Sequence, residues 1–181
     1  MIAISSPNEL EKILKNQLVM QSELNKNSVL NSLSVYGTTL EKILNKQIRD
    51  SYTTIDSVII FELTSRPNSE SNVSYKNSEN NLTYYRAYNL KVMIYGDDSP
   101  NVANKLFARL NSEIVKDNLQ QLGVNIENIT NPESLNEYIN DVMWLRNDIN
   151  IELGCKFEIS QVSDETSFDS LSDLKIIIQG E

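Results

Sequence analysis

The feature that most constrains this chain is a regular alternation of apolar and polar residues that begins at Asp148. The apolar positions are Ile149, Ile151, Leu153, Cys155, Phe157 and Ile159, and charged or polar residues, with Gly154, separate them. A period of two places alternate side chains on opposite faces of a β-strand. One face therefore covers a core while the other meets water or a partner, as in an antiparallel sheet with one covered face. We expect a long strand here, in a sheet of this kind.

The composition of the chain, with its excess of acidic over basic residues, narrows the possible functions. Its 181 residues suggest one domain, and its formal net charge of −9 disfavours binding to nucleic acid. There is no histidine and a single cysteine, which removes His-based acid–base catalysis, Ser–His and Cys–His nucleophile pairs, most zinc sites and intramolecular disulfides. The N-terminus lacks the pattern of a signal peptide, and no apolar run is long enough to span a bilayer. We therefore expect a protein made in the cytoplasm, without a membrane span.

The first fifty residues have the pattern of an α-helical arm. Ser6, Pro7 and Glu9 predict a capped helix that ends between Leu24 and Asn27. The stretch Ser28–Tyr36 is interpreted as helical, and a further helix follows Gly37, with Thr38 and Glu41 as its capping box and an apolar stripe of Leu40, Ile43, Leu44 and Ile48. These helices either cover the sheet or contact a neighbouring subunit, and the sequence leaves both interpretations open.

The rest of the chain predicts a sheet with one prominent helix. β-Branched and aromatic residues mark strands, and Ser99-Pro100 and Gly123 mark the two ends of the helix. The expected elements are a strand at Ser57–Thr64, a long exposed loop at Ser65–Asn81, a strand at Thr83–Tyr95, a helix at Pro100–Leu122, a strand at Val124–Ile129 and a connector at Thr130–Tyr138.

These elements predict the α+β class: a mostly antiparallel or mixed β-sheet of about four strands, packed by helices, with an N-terminal helical segment. We expect one domain over residues 1–162, with a helical part at 1–50 and a sheet–helix core at 57–162. Residues 163–181 form an acidic tail. The tail ends in an apolar stretch, Leu174–Gln179, whose pattern suits a short strand added to the edge of a sheet in the same or a neighbouring chain.

Two groups of residues are candidates for a subunit interface. Tyr84, Tyr85 and Arg86 lie in a tyrosine-rich strand, and Trp144, Arg146 and Asp148 precede the long alternating strand. Tyrosine, tryptophan and arginine are favoured at protein interfaces and as hot spots within them. Ordinary sheet packing for the tyrosines, and a packed tryptophan beside an i, i+2 Arg–Asp pair, are the alternatives. We predict that these six residues contribute to a subunit interface.

Catalytic and ligand-binding patterns are weak. Asp97 and Asp98 lie between a strand and a helix start, where a phosphate or a metal can bind, but there is no glycine-rich loop and no P-loop lysine. They are expected to complement the helix dipole instead. Cys155 lies in the inward register of its strand and is expected to be a small core residue. We predict no catalytic residue, no cofactor and no metal.

The order of elements resembles that of the phage neck and tail terminator proteins, which close the end of a tail tube. The segments that carry the resemblance are Tyr85–Gly96, the helix Pro100–Leu122 and the run Trp144–Ile151. The resemblance covers roughly the middle hundred residues, and it rests on the order and pattern of these segments and not on a strict sequence motif.

The resemblance implies a structural virion protein without catalysis. Members form a ring, typically of six subunits, on the last ring of tube protein; the ring ends tube growth and gives the head–tail connector a surface to bind. In contractile tails it also holds the top of the sheath. The implied partners are therefore further copies of the chain, the tail tube protein, the connector and the tail sheath. Assembly would take place in the host cytoplasm.

DNA would pass through the acidic lumen of such a ring without specific binding. Two other classes stay open at the level of sequence. One is another phage assembly protein, such as a tail tube or head-completion protein. The other is a small acidic hydrolase.

Overall fold

The computed structural model describes residues 3–32, 57–66, 75–76, 82–139 and 142–159. Within these ranges three α-helices and a short 3-10 turn accompany the strands of one mixed sheet, which confirms the α+β class. In chain order the elements are α1 (Pro7–Ser22), the 3-10 turn (Lys26–Ser28), β1 (Val29–Asn31), β2 (Val58–Ser65), β3 (Tyr75–Lys76), β4 (Leu82–Tyr95), α2 (Ser99–Leu110), α3 (Glu113–Gln121), β5 (Val124–Ile129), β6 (Glu133–Ile139) and β7 (Val142–Ile159).

The sheet is built around its longest strand, β7. The strand order is β1-β2-β4-β7-β5, with β3 added beside β4 and β6 added beside β7. On one side β7 pairs with the whole of β4, and on the other it pairs first with β6 and then with β5. All these pairs are antiparallel except β1 with β2, which is parallel. The predicted long strand is confirmed, and it begins earlier than the alternation, at Val142.

The main core lies between one face of the sheet and the three helices. The inward positions of β7 from Ile149 to Phe157 are buried, together with alternate residues of β4, as the period of two predicts. The helices contribute a second layer of buried apolar side chains: Leu10, Leu14, Leu18, Val102, Ala103, Leu106, Leu110, Val115 and Leu119. Burial of this apolar face is what holds the helices on the sheet.

A smaller cluster lies on the opposite face of the sheet. Val58, Ile60, Tyr95 and Trp144 are buried together there, and Met93 packs against them. The register pairs Val58 with Tyr95 and Ile60 with Met93, and residues paired in this way share a face. β4 is therefore partly covered on both faces, on one by the helices and on the other by this smaller cluster.

The sheet has more strands than the expected four because β1, β3 and β6 carry weak sequence signals, and β3 lies within the predicted loop Ser65–Asn81. The helical prediction for Ser28–Tyr36 is wrong at Val29–Asn31, where β1 pairs with β2 and buries Val29. The predicted connector Thr130–Tyr138 contains β6, whose side chains are largely exposed and so lack an apolar alternation. In both places pairing with a neighbouring strand decides the structure, and local composition does not reveal it.

The long helix expected at Pro100–Leu122 is two helices. α2 ends at Leu110 and α3 begins at Glu113, because Ser112 takes an extended conformation with φ −69° and ψ 141°. The Ser112 hydroxyl donates a hydrogen bond of 2.6 Å to the carbonyl oxygen of Arg109 at the break. The buried stripe continues through Val115 and Leu119, so the periodicity conceals the interruption. Gly123, with φ 81°, ends the second helix as predicted.

α1 begins as predicted and ends early. The Ser6 hydroxyl accepts a 3.3 Å hydrogen bond from the backbone N–H of Glu9, which confirms the N-cap. The carboxylate of Glu9 accepts from the backbone N–H of Ser5, one residue before the partner expected in a capping box. The helix ends at Ser22 because Glu23 adopts a left-handed conformation, with φ 62° and ψ 16°.

Several sequence predictions lie outside the described residues. They are the helix after Gly37, most of the loop between Ser65 and Asn81, and the acidic tail 163–181 with its strand at Leu174–Gln179.

Candidate functional site

The six predicted interface residues fall into two groups at opposite ends of the β4–β7 pair. Tyr84 faces Phe157 at one end, and Tyr95 faces Arg146 at the other. These register pairs are eleven residues apart along β4, or roughly 36 Å at the usual rise of a strand. The structure therefore does not bring the six residues together into one site. It places them near the two ends of the β4–β7 pair.

The first group combines one internal stack with two exposed side chains. The Tyr84 ring stacks on Phe157 with a centroid distance of 5.2 Å and an angle of 12° between the planes. The Arg86 guanidinium lies 5.8 Å from the centre of the Tyr84 ring, within the range of a cation–π contact. Tyr85 points to the opposite face of the sheet and is 47% exposed. Tyr85 and Arg86 are thus accessible to a partner, on different faces.

The second group is joined by hydrogen bonds within the chain. Arg146 binds Asp148 through two hydrogen bonds of 2.6 Å and binds Glu137 through one of 2.8 Å. Glu137 also accepts a hydrogen bond of 2.8 Å from the hydroxyl of Tyr95, and Lys91 lies 3.3 Å from Asp148. The predicted i, i+2 Arg–Asp pair is confirmed as a contact. We call these five residues the hairpin-base network, because they join β4 to the start of the β6–β7 hairpin.

The electrostatics of the hairpin-base network follow from burial and pairing. The hydrogen bonds that Arg146 donates to Asp148 raise the pKa of Arg146, which stays charged at every physiological pH. Burial, together with the hydrogen bond to Glu137, raises the pKa of Tyr95, which stays neutral. The side chain of Asp148 is only 5% exposed, and Arg146 and Lys91 both pair with it. Removing Arg146 would leave Lys91 as the cation closest to this buried carboxylate among the described residues, and would leave Glu137 without its ion pair.

Trp144 packs within the chain, in the smaller cluster beside Tyr95. It is 3% exposed, so in a single copy its ring meets this chain's own side chains. This agrees with the alternative interpretation of the sequence, in which Trp144 packs within its own chain. A role in supporting a subunit interface remains a prediction.

The structure contains a feature that was not predicted from the sequence, a β6–β7 hairpin that extends beyond the end of β4. β4 pairs with β7 only as far as Arg146, whereas β6 continues to pair with β7 as far as Val142. Tyr138 and Met143 face each other across this hairpin and are 72% and 58% exposed. In the sequence, Asn140 and Asp141 stand between the two strands, and both residue types favour turns. They were the sequence pattern from which this hairpin could have been predicted.

An ion-pair cluster on the face opposite the helices links three strands. A β-bulge lies between Ile126 and Asn128, where Glu127 is the extra residue. Arg66, just after β2, pairs with Glu127 and lies 3.1 Å from Glu152 on β7. Gly154 leaves room for this arrangement, since a Cβ there would lie 2.7 Å from Oε1 of Glu127.

The described residues hold no cluster of three or more His, Cys, Asp or Glu side chains suited to a metal ion. Burial raises the pKa of the Cys155 thiol to about 12, so the group is a neutral core side chain at physiological pH. Asp98 occupies the N-cap position of α2 and accepts a hydrogen bond of 2.6 Å from Asn101. None of the helices in the described ranges has the length and apolar character needed to cross a membrane.

Exposed aromatic side chains at the ends of a firmly paired sheet are typical of a structural protein that binds other proteins. The chain belongs to the phage neck terminator protein family, whose model matches residues 30–181. No curated protein matches the chain. Family membership confirms the resemblance drawn from the middle hundred residues and extends it over most of the chain. The protein therefore has a structural role in the tail and neck of a phage.

Proposed function

We propose that this protein forms a ring of six copies that caps the phage tail tube, ends tube polymerisation and joins the tail to the head–neck connector. The proposal rests on membership of the neck terminator family. In a contractile tail the same ring also holds the top of the sheath. The role requires no catalytic residue and no cofactor, and it places the protein in the neck of the virion.

The observation that carries the ring is the separation of the two candidate groups. A closed ring needs heterologous contacts, in which one surface of a copy meets a different surface of the next. Tyr85 and Arg86, exposed on the two faces at one end of the β4–β7 pair, provide one candidate contact region, and Tyr84 supports it through its stack on Phe157. Trp144, Arg146 and Asp148 support the other from within, by fixing the base of the hairpin.

The charge of the chain fits a ring through which DNA passes. Six copies with a net charge of −9 each form a strongly acidic particle. Phosphates are repelled by such a surface, so DNA moves along the lumen without being held. The protein partners are then the tail tube protein, the connector and the sheath.

The experiment that tests this function is a capping assay with the tail tube protein. Tube protein is polymerised with and without this protein, and tube length and the appearance of tube ends are measured by electron microscopy. Light scattering gives the mass of the free protein. We expect shorter tubes with a ring at one end. Unchanged tube length contradicts the proposal, and filaments made by this protein alone would indicate a tube protein.

The interface residues are tested with exposed variants that leave the fold intact. Tyr85→Ser and Arg86→Ser remove two accessible side chains and are expected to weaken ring formation. Asn89→Ser, also exposed on β4, is the matched control. A ring whose stability is the same in all three variants contradicts the role of Tyr85 and Arg86.

A further inference from the structure

The strand β6 forms an open edge of the sheet. In the described part of the chain it pairs only with β7, in an unbroken register that runs from Glu133 with Asp148 to Ile139 with Val142. The backbone groups on the far side of β6 therefore have no strand partner among the described residues. Its side chains are largely exposed on both faces. A further strand can thus reach this edge.

β6 lacks the features that protect the edges of most sheets. An exposed strand edge is a template for pairing with another chain, and proteins usually guard it with a lysine, a proline, a bulge or a very short strand. The other outer strands of the described sheet have such features: β5 carries the bulge at Glu127, and β1 and β3 have three and two residues. β6 has seven residues and contains no lysine, no proline and no bulge. We therefore expect its edge to be occupied in the assembled particle.

The acidic tail contains a segment of matching length and pattern. Residues 174–179 read Leu-Lys-Ile-Ile-Ile-Gln, and we call them the 174–179 segment. Three consecutive β-branched residues favour a strand. The family model covers this segment, since its match runs from residue 30 to residue 181. The segment therefore belongs to the region that the chain has in common with its family.

We propose that the 174–179 segment of one copy adds to the edge of β6 in the next copy, antiparallel to it, an inference that rests on the ring of the proposed function. An extended segment that joins a sheet edge gains affinity from main-chain hydrogen bonds and specificity from alternate side chains. The occupant of the β6 edge is thus a second copy of this chain. β6 then becomes an internal strand, between β7 and the segment of the neighbour.

The side chains of β6 favour one antiparallel register. This register pairs Leu174 with Tyr138, Lys175 with Glu137 and Ile177 with Leu135. Leu174 then covers Tyr138, which is 72% exposed. Lys175 meets the carboxylate of Glu137, whose side chain is 37% exposed. Apolar pairs and opposite charges directly across two strands stabilise a sheet, and a slip by one residue would turn every side chain of the segment to the other face.

The reach of the chain favours the next copy over the same one. An antiparallel segment begins at the hairpin end of β6, beside Tyr138, which faces Met143 on β7. The distance along β7 from Ile159 back to Met143 is roughly 54 Å at the usual rise of a strand. The chain from Ile159 to Leu174 also spans at most about 54 Å when fully extended. The same copy would have to stretch this linker to its limit, at a high cost in conformational entropy, whereas a neighbour need not.

Disulfide trapping tests the copy, the direction and the register together. Residues directly opposite in an antiparallel pair have Cα atoms about 4.5–5.5 Å apart, within the range that a disulfide spans. Full-length Tyr138→Cys and Leu174→Cys chains are mixed, with and without tail tube protein, and oxidised gently. We expect a linked dimer that requires both variants, because Cys155 is fully buried. The matched control is Tyr138→Cys with Lys175→Cys, whose side chain points to the other face of the strand.

A chain that carries both Tyr138→Cys and Leu174→Cys distinguishes the neighbour from the same copy. We expect linked oligomers up to the size of the ring. A linked monomer would show that the segment pairs within its own copy, and this would overturn the proposal. Equal yields from the Leu174→Cys mixture and the Lys175→Cys control would also overturn it, as would an unlinked monomer that persists with tube protein.

A proline variant separates this inference from the proposed function. The backbone groups of Asn136 point to the open edge, because those of its partner Leu145 point to Gly96 on the other side. Ile176 lies opposite Asn136 in the proposed register, and proline cannot donate to a strand ladder. Ile176→Pro is therefore expected to weaken self-association roughly tenfold, without a change in the thermal unfolding of the monomer. Ser170→Pro, in the linker before the segment, is the matched control.

The two proposals fail in different ways. Rings of the Ile176→Pro variant that form and cap tubes like those of the parent protein would overturn the strand addition and keep the proposed function. Disulfide-linked rings that leave tube length unchanged would keep the strand addition and overturn the capping function.

Discussion

At the scale of single residues, Glu23 has two structural roles. Its left-handed backbone, with φ 62°, ends α1, although this conformation is unfavourable for a residue with a side chain. Its carboxylate pairs with Lys105 and Arg109 on α2. The hydrogen bond from Lys105, followed by that from Arg109, lowers the pKa of Glu23 from 4.5 to about 2. Glu23 therefore stays charged in the folded protein at pH values where it is protonated in the unfolded chain.

This pKa shift predicts a change in acid stability. A carboxyl group whose pKa is lower in the folded state stabilises the protein above its unfolded pKa of 4.5, and this contribution is lost as the pH falls towards about 2. Glu23→Gln lacks the contribution at every pH. The urea midpoint of the variant should therefore fall less steeply than that of the parent protein between about pH 5 and about pH 2. Parallel pH profiles would contradict the prediction.

Substitutions at Gly154 and Glu127 should have non-additive effects on stability, because the two positions are in contact. Gly154→Ala places a methyl group where the Glu127 carboxylate lies, and the flexible side chain is expected to move away from Arg66. Because this ion pair is partly exposed, the change in unfolding free energy should be below about 1 kcal/mol.

A double-mutant cycle measures the coupling between these two positions. Glu127→Gln should have a smaller effect on stability in the Gly154→Ala variant than in the parent protein, since the ion pair is already weakened there. Strictly additive free energies from urea unfolding would show that the two positions act independently. Asn128→Ser, beside the bulge, serves as the control substitution and should be additive with Gly154→Ala.

The sequence predicted contacts between residues that are close in the chain and missed the distant ones. Arg146 and Asp148 are two residues apart on one strand, so the period of a strand already places them on the same face. Glu137 reaches Tyr95 and Arg146 only because β6 and β4 both lie beside β7. A single sequence contains no signal for that placement, and the hairpin-base network was therefore predicted only in part.

At the scale of whole elements, the most predictable ones bury one complete face. The alternation in β7 and the inward half of β4 follow directly from burial against the helices. β1 and β6 were missed because they are defined by their strand neighbours: β1 has only three residues, and the side chains of β6 are largely exposed. The break between α2 and α3 was missed because one apolar stripe runs across both helices.

A substitution in α1 tests whether the family match marks the boundary of the folded unit. The match begins at residue 30, after α1, yet Leu14 of α1 belongs to the main core. Leu14→Ala is expected to lower the free energy of unfolding by about 2–5 kcal/mol, the usual cost of a core cavity. Met20→Ala, an exposed control on the same helix, should change it by less than about 0.5 kcal/mol. Equal effects, measured by urea unfolding, would indicate that α1 is not part of the cooperative unit.

At the scale of the whole molecule, net charge predicts how the protein behaves towards DNA. With Asp and Glu exceeding Lys and Arg by nine, the chain should not retard double-stranded DNA in a gel, even at low salt, where phosphate contacts are strongest. The measurement includes assembled rings as well as free protein. Binding that weakens steeply with added salt would contradict the prediction and indicate a local basic surface.

The long β4–β7 pair has a mechanical consequence for a protein in the neck of a phage. The two strands are in register over fourteen residues, from Leu82 with Ile159 to Tyr95 with Arg146. A force that slides one strand along the other loads all the hydrogen bonds of this ladder together, whereas a force that peels the strands apart at one end breaks them in sequence. The pair is therefore strongest against tension along its own axis. A tail pulled along that axis would be resisted by the longest ladder in the sheet.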